Sequence, residues 1–564
     1  MGQETIYDLE SVNLPRLTGR MLRLLAEMLE NPRTRWVLGG RLLKDAGIYQ
    51  FRANPFNETP TYYPHYPFDG TPASPDAQPP DLEPLLAPTP LPGSPFASIR
   101  DYAHAYRSGQ TTPTAVADRI WQAIAATEQR QPPLRIFIAV NQTDLLAQAE
   151  ASTRRWAQGN PLSLFDGVPV AVKDEVDMRP YGTTVGTQFL GKTPATQDST
   201  IVARLRAAGA LLIGKTNMHE IGIVPTGLNP HHGFARNPYH PDHYTGGSSS
   251  GSAAAVAAGL CPVAIGADGG GSIRIPAALC GLVGLKSTFG RISEFGAAPL
   301  DWTVAHLGPL AASAEDAAFC YALIAGPDRR DPHTLSQPTP TLTDWHNADL
   351  RGVTLGIFPP WFEHATQETV AACRQTLDGF RAQGAIVLEI AIPELNLARV
   401  AHVITIASEM LTGMQPYYEQ HHRDFGLDVR INLALTRLFT NQDYIQAQQM
   451  RTRAIRHLSA ALSQVDAIIT PTTALPAPPI PASAWPAGES DLNLLTELMR
   501  YAFIANLTGL PAITFPAGYD GRGLPIGCQA MGRPWQEHIL LRLAHAAAQF
   551  TPRQKPQVHF NVLL

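Results

Sequence analysis

Cysteine is scarce in this chain, and its spacing excludes two common uses of the residue. The 564 residues contain five cysteines, an odd number, and no two of them form a Cys-x-x-Cys pair. We therefore expect neither a zinc ribbon nor a disulfide framework, and the pattern favours a reducing compartment.

Long apolar runs and an excess of positive charge are also missing. No window of about 18 apolar residues occurs, so the sequence predicts no membrane span. The first residues contain neither a basic segment nor an apolar one, and no secretory signal is predicted. We expect an intracellular protein, either cytoplasmic or peripherally attached to a membrane. The net charge of −5 offers no broad basic surface, so we expect no nucleic acid partner.

The composition divides the chain into three parts. Residues 1–53 are predicted to form a pair of amphipathic helices, over 16–30 and 34–44, that serve as a cap. The first of them has an apolar stripe at helical spacing, made of Leu17, Met21, Leu24, Leu25 and Met28. Residues 54–98 are rich in proline, which predicts an extended, semi-rigid connector. The remaining residues, 99–564, are predicted to form the catalytic domain.

From residue 99 onward, helical and strand patterns alternate, which is typical of the α/β class. Short apolar runs rich in β-branched residues predict buried strands at 134–139, 167–172, 210–213, 262–266 and 466–472. We expect a large twisted mixed β-sheet with helices on both faces.

Two glycine and serine clusters and one lysine are the strongest candidates for chemistry. Residues 246–252 read Gly-Gly-Ser-Ser-Ser-Gly-Ser, residues 268–272 read Asp-Gly-Gly-Gly-Ser, and Lys173 ends an apolar strand. Glycine lets the backbone approach a substrate closely. A buried lysine amine in its neutral form can act as a base, and a serine hydroxyl both donates and accepts, so it can relay a proton.

Together these motifs resemble the amidase signature family, whose members cleave amide C–N bonds with a serine, cis-serine and lysine triad. The resemblance implies the amidase signature fold, with Ser272 as nucleophile, Ser248 as the bridging cis-serine and Lys173 as base. It assigns an oxyanion hole to the backbone N–H groups of Gly269, Gly270, Gly271 and Ser272. It also implies supporting roles for Ser249, Asp268 and Arg274, and neither a metal nor an organic cofactor.

The flanking sequence resembles the plant-type fatty acid amide hydrolases over nearly the whole chain. Segments carrying this likeness lie at residues 14–19, 99–107, 148–155, 217–220, 498–500 and 526–535. The resemblance implies hydrolysis of N-acylethanolamines and related acyl amides to fatty acid and amine, by a homodimer. Candidate acyl-channel residues are Met21, Leu25, Met28, Ile221, Ile223 and Met531. The arginine-rich first helix also favours peripheral contact with a lipid surface, although packing on the catalytic domain is an alternative.

Several other interpretations are open. Residues 209–216 match a Walker A pattern, but their middle reads as a buried strand rather than a phosphate loop. Residues 247–251 match a nucleophile elbow, which would make Ser249 the nucleophile of an α/β-hydrolase. Four histidines, His231, His232, His240 and His243, lack the spacing of a metal site. Within the family, the alternatives are a short-chain or aromatic acylamidase and the glutamine amidase subunit of a tRNA-dependent amidotransferase; a non-catalytic scaffold would be expected to lack triad residues.

Overall fold

The computed structural model describes residues 7–12, 14–77, 80–86 and 94–564. Within these ranges, no helix is both long and apolar enough to cross a bilayer.

The strands are short, and most of their side chains are buried. In chain order they are β1 Leu17–Thr18, β2 Phe137–Ala139, β3 Pro169–Lys173, β4 Leu211–Thr216, β5 Arg236–Asn237, β6 His240–Tyr244, β7 Val263–Ala267, β8 Val283–Lys286, β9 Leu307–Ala311, β10 Thr354–Ile357, β11 Ile386–Glu389, β12 Ala467–Pro471, β13 Glu489–Ser490, β14 Ala512–Tyr519 and β15 Pro525–Gly532.

The helices range from single turns to a long rod near the middle of the chain. They are α1 Gly19–Glu30, α2 Pro32–Asp45, α3 Ile48–Arg52, α4 Ile99–Arg107, α5 Pro113–Gln129, α6 Gln142–Ala157, α7 Thr200–Ala207, α8 Ser250–Ala257, α9 Arg274–Leu279, α10 Ala314–Ile324, α11 Pro359–Phe362, α12 Gln367–Ala382, α13 Leu395–His421, α14 Leu427–Thr436, α15 Asn441–Leu462, α16 Leu492–Met499, α17 Phe503–Thr508 and α18 Glu537–Ala548. Short 3₁₀ turns lie at Glu83–Leu85, Glu220–Gly222, Pro332–Thr334 and Ala482–Ala484.

Eleven strands form one mixed sheet, in the order β11-β10-β12-β15-β14-β8-β9-β7-β3-β4-β2. Three neighbours, β7, β3 and β4, run parallel to one another, while β9 and β2 flank them in the antiparallel sense. The α/β class and the large mixed sheet flanked by helices are thus confirmed.

Apolar runs account for the strands that carry the site. All five residues of β3 and all six of β4 are buried, as expected for strands covered on both faces. The apparent Walker motif is therefore a sheet strand: its Lys215 is buried and lies 3.2 Å from Asp174 Oδ1. A side chain held in this way inside the sheet is not available to cradle a phosphate.

Helix α8 is built from small residues, all of them buried. It packs on β3, β4 and β7, and Ser252 at its first turn donates a hydrogen bond to the carbonyl oxygen of Ile265 (2.9 Å). A Cβ at Gly251 would lie 2.3 Å from the carbonyl oxygen of Ile136, so this close packing requires glycine. The beginning of α8 is thereby fixed at the sheet edge where the serines lie.

The proline-rich connector is anchored along α15 in its first part. Thr61 N donates to the carbonyl oxygen of Gln448 (3.1 Å), and Gln449 Nε2 donates to that of Glu58 (2.9 Å). Tyr66 donates its hydroxyl to the carbonyl oxygen of Thr508 (2.5 Å). This stretch is therefore held against the core by hydrogen bonds to backbone carbonyl groups.

The residues of α1 that are most deeply buried are not those of the apolar stripe identified in the sequence. Leu22, Ala26 and Leu29 are buried against α14, whereas Met21 is 58% exposed and Leu24 is 48% exposed. Both stripes have helical spacing, so the periodicity alone did not determine which of them α14 covers. A bidentate ion pair between Glu30 and Arg430 (2.6 and 2.8 Å) also joins α1 to α14.

Candidate active site

The parallel arrangement of β7, β3 and β4 brings three sequence segments to one edge of the sheet. The carboxyl ends of parallel strands meet at the same edge. Lys173 ends β3, the loop to Gly222 follows β4, and the loop to Ser272 follows β7. One small cavity at this edge is lined by Lys173, Gly222, Ser248 and Ser272.

The Lys173 amine lies at the bottom of this cavity. Its side chain is 1% exposed, and Nζ donates hydrogen bonds to Ser248 Oγ (2.8 Å) and to the carbonyl oxygen of Ala267 (3.2 Å). The strand register explains this contact, because Val172 pairs with Ile265 and places Lys173 beside the end of β7. The predicted base and bridging serine are thus in direct contact.

Ser248 lies just before α8, and its backbone is tightly held. The Gly247–Ser248 peptide bond is cis. The Ser248 carbonyl oxygen accepts hydrogen bonds from the N–H groups of His219 (3.1 Å) and Ser250 (2.9 Å). The side chain is 2% exposed, so its hydroxyl is presented to the cavity and not to bulk water.

Ser272 ends the glycine loop and lines the same cavity, with 8% of its surface exposed. Among the described residues, none forms a hydrogen bond with its hydroxyl. Gly271 in this loop has φ +122°, a conformation that favours glycine. The backbone N–H groups of Gly269, Gly270 and Ser272 have no acceptor in the described part of the chain, whereas that of Gly271 donates to Asp268 Oδ1 (2.6 Å). Within that part of the chain, three of the four predicted oxyanion donors are therefore free.

A buried ion pair holds the glycine loop in shape. Asp268 accepts from Arg274 Nε and Nη2, both at 3.0 Å, and from Asn506 Nδ2 (2.9 Å). Burial alone would raise the pKa of Asp268, but the charge and hydrogen bonds of Arg274 hold it well below its usual range. Arg274 also donates to Gln529 Oε1 (2.7 Å). This network explains the predicted supporting positions of Asp268 and Arg274.

Three side chains near the loop were missed by the sequence interpretation. His402 of α13 donates from Nε2 to the carbonyl oxygen of Gly269 (2.8 Å), and burial lowers the pKa of His402 to about 4. Asp301 lines the cavity, and its carboxyl accepts no hydrogen bond from any described residue. Glu175 places Oε2 3.0 Å from Lys173 Nζ. Of the three, Glu175 alone had a local signal, an acid two positions beyond the lysine.

The predicted acyl-channel residues are scattered. Ile221 is buried in an apolar cluster with Leu300 and Met410, which also line the cavity, and Ile223 packs against this cluster. Met531 is fully buried elsewhere, in the cluster around α13, α15 and α17. Met21 is exposed, while Leu25 and Met28 are partly buried on α1. The structure thus brings two of the six to the site.

The other sequence interpretations can be placed as well. Ser249 directs its hydroxyl to the carbonyl oxygen of Ala267 (3.2 Å), which fits a supporting role and not that of an exposed nucleophile. His231 Nε2 lies 2.9 Å from Glu220 Oε1, and His232 Nε2 lies 3.1 Å from the carbonyl oxygen of Thr187. The rings of His240 and His243 contact each other, with their centroids 4.1 Å apart.

Comparison with known proteins gives consistent matches. A sequence model of the amidase family matches residues 119–541. A fatty acid amide hydrolase from Arabidopsis thaliana is 41% identical over 585 aligned positions, covering 99% of this chain and 96% of that protein. A glutamyl-tRNA(Gln) amidotransferase subunit from Thermosynechococcus vestitus is 34% identical and covers 80% of this chain and 97% of its own. The solved structure of native peptide amidase from Stenotrophomonas maltophilia has a TM-score of 0.71 at 30% identity, over 83% of this chain and 99% of that one.

Proposed function

The chain belongs to the amidase family of hydrolases, which act on amide C–N bonds, and we propose that it hydrolyses fatty acid amides, N-acylethanolamines among them. The observation that carries the substrate class is the likeness to the Arabidopsis thaliana enzyme, which extends over 99% of this chain. The amidotransferase subunit matches 80% of the chain, so it leaves more of this sequence unaccounted for.

In the proposed reaction, Ser272 Oγ attacks the acyl carbonyl carbon. Its proton passes to Ser248 Oγ, while the proton of Ser248 passes to Lys173 Nζ. The 2.8 Å contact between Nζ and Ser248 Oγ supports the second transfer. The free N–H groups of Gly269, Gly270 and Ser272 are the proposed donors to the oxyanion.

Collapse of the tetrahedral intermediate breaks the C–N bond. The relay returns a proton to the leaving nitrogen, and an acyl ester remains on Ser272. A water molecule then attacks this ester, with Ser248 and Lys173 accepting its proton in the same order. Fatty acid and amine are the products.

The apolar surroundings support a long acyl chain. Leu300, Ile406 and Met410 line the cavity, and they belong to a cluster that continues to Val429 and Leu433 on α14. The opposite face of α14 packs on α1 through Leu427, Ile431 and Ala434. We propose that the acyl chain extends from Ser272 towards these helices. The cavity itself holds only about 20 Å³, so these side chains must move to admit it.

The N-terminal helices are proposed to contact a lipid surface. Trp36 is 72% exposed and Val37 is 77% exposed on α2, close in sequence to exposed Met21 and Leu24 of α1. Exposed arginines lie on the same two helices: Arg20, Arg23, Arg33 and Arg41. Apolar side chains with flanking cations are typical of interfacial helices. A homodimer, implied by resemblance, stays a prediction that light scattering would test.

The test is hydrolysis of a long-chain N-acylethanolamine by the purified protein, with fatty acid and ethanolamine both quantified. We expect equimolar release by the wild-type protein and none above background from Ser272→Ala. Release of ammonia from glutamine in the presence of amidotransferase partner subunits, without N-acylethanolamine hydrolysis, would instead favour the amidotransferase assignment.

A further inference from the structure

Glu175 forms a buried ion pair with the lysine of the proposed triad. Its Oε2 lies 3.0 Å from Lys173 Nζ, and the two side chains are 9% and 1% exposed. The carboxylate also lines the active-site cavity. The chain fixes it in place, because the Glu175 carbonyl oxygen accepts from Ala298 N (2.8 Å) and the adjacent Val176 bridges to Ala297. Charges so close and so well shielded from water interact strongly.

We propose that Glu175 is a positioning residue for Lys173, which balances the ammonium formed during catalysis and sets the pH at which the enzyme becomes active. The inference rests on the proposed role of Lys173 as base. It adds a fourth side chain to the triad, one that contacts Lys173 and has no hydrogen bond to Ser272 among the described residues.

The proton transfers of the proposed reaction explain why Lys173 needs a counter-charge. When Ser272 Oγ bonds to the acyl carbon, its proton moves to Ser248 and that of Ser248 moves to Lys173, so the site gains one ammonium and one oxyanion. Glu175 neither gains nor loses a proton. An ammonium without a partner in this buried site would carry a large desolvation cost, whereas beside Glu175 it is paired at once. When the C–N bond breaks, the proton leaves with the amine.

The other acidic groups around the pair either have other partners or have pKa values raised by burial. Asp174 forms an ion pair with Lys215, and Asp268 forms one with Arg274. Glu409 accepts from Thr303 Oγ1 (2.6 Å) and Tyr444 (2.9 Å). Burial, followed by the charges of neighbouring acids, raises the pKa of two further carboxyls well above the usual range, and these are Glu294 and Asp301.

Asp301 therefore offers a matched control for Glu175. Both carboxyls line the same cavity, but Asp301 accepts no hydrogen bond from any described residue and burial raises its pKa, whereas Glu175 contacts the lysine. Changing Asp301 to asparagine alters a carboxyl of this cavity that has no ion pair with Lys173 among the described residues. Changing Glu175 to glutamine removes the charge beside Nζ at nearly constant volume.

The experiment is the pH profile of kcat/KM between pH 5 and 10 for wild type, Glu175→Gln, Glu175→Asp and Asp301→Asn, on an amide that the wild type hydrolyses. For Glu175→Gln we expect a loss of about 10- to 100-fold at the optimum. We also expect its rising limb to shift by about one pH unit or more towards acid, because an amine without its carboxylate loses its proton at lower pH and is a weaker base. Glu175→Asp should recover the limb and part of the rate, and Asp301→Asn should leave the limb in place.

The proposal would be overturned if Glu175→Gln lowers kcat/KM but the rising limb of its pH profile stays at the wild-type pH. Glu175 would then contribute only to packing. An equal shift in Asp301→Asn would overturn it too, since the effect would then not depend on contact with Lys173. These outcomes are distinct from a failure of the proposed function, which would appear as undiminished turnover by Ser272→Ala.

Discussion

The sheet edge with the proposed catalytic residues and the N-terminal helix pair are built in opposite ways. At the edge, Lys173, Ser248 and Ser272 are each at most 8% exposed. On α2, by contrast, Trp36 and Val37 are more than 70% exposed, and among the described residues they contribute to none of the buried clusters.

This difference separates the requirements of chemistry from those of substrate selection. The reaction needs a few groups held within hydrogen-bonding distance, so loops, strand register and an ion pair fix them. Recognition of a lipid needs apolar area with few directional contacts. Mutations at the edge should therefore abolish turnover of every amide, whereas mutations in the helix pair should act selectively on long acyl chains.

The largest expected effect is at the proposed nucleophile. Ser272→Ala should reduce kcat by roughly 10³-fold or more for short and long amides alike, because the substitution removes the oxygen that forms the acyl ester. The melting temperature should stay near the wild-type value, since the substitution removes one oxygen atom. Residual activity that distinguishes short from long substrates would break the proposed separation of roles.

The ion pair behind the glycine loop should be the most costly to remove for stability. Arg274→Ala leaves buried Asp268 without its cation, and we expect a loss of about 3–5 kcal/mol in the free energy of unfolding. Urea denaturation measures this loss. The control is Arg351→Ala, which removes an exposed pair with Asp349 and should leave the free energy of unfolding close to the wild-type value.

The predictability of the two regions follows from the same difference. Lys173 could be predicted at the end of a strand because it ends an apolar run. The two serine clusters could be predicted as loops because they are rich in glycine. The contact between Glu175 and Lys173 could not, since it depends on how the chain turns after β3. The sequence left open whether the apolar stripe of α1 packs or faces lipid, because the face that is covered depends on α14, which packs on Leu22, Ala26 and Leu29. Met531 was grouped with the channel by resemblance, although its side chain lies in another cluster.

Weakening the contact between α1 and α14 should impair the binding of long acyl chains without impairing the hydrolytic reaction itself. Leu29 is fully buried in this contact, and Leu29→Ala is expected to weaken it by about 2–5 kcal/mol. Hydrolysis of long-chain amides should fall, while that of a short amide should persist. Met21→Ala on the exposed side of the same helix is the matched control and should leave packing unchanged. Equal loss on both substrates would show that α1 supports the fold as a whole.

The hydrogen bond from His402 to the glycine loop predicts a pH dependence of stability. Burial lowers the pKa of His402 to about 4, below its unfolded value, so the unfolded chain binds a proton more readily. The stability due to neutral His402 is thus present above about pH 6.5 and is lost as the pH falls towards 4. The advantage of wild type over His402→Gln in urea denaturation should shrink by about 1–2 kcal/mol between pH 7 and pH 5. A constant difference would contradict this assignment.

The smallest expected effect on the isolated protein is on the exposed face of α2. Trp36→Ser with Val37→Ser should change the free energy of unfolding by about 0.5 kcal/mol or less. Binding to anionic lipid vesicles in a sedimentation assay should fall. Retained binding, together with destabilisation, would place these side chains in a protein contact instead.

The most direct test of the central claim is kcat/KM for N-acylethanolamines of increasing acyl length, compared with a small aromatic amide. We predict a steep rise with chain length, because the proposed path of the acyl chain runs from Ser272 through the apolar cluster towards α14 and α1. A flat or falling series would contradict it: the catalytic edge would still be that of an amidase, but the lipid assignment would be wrong.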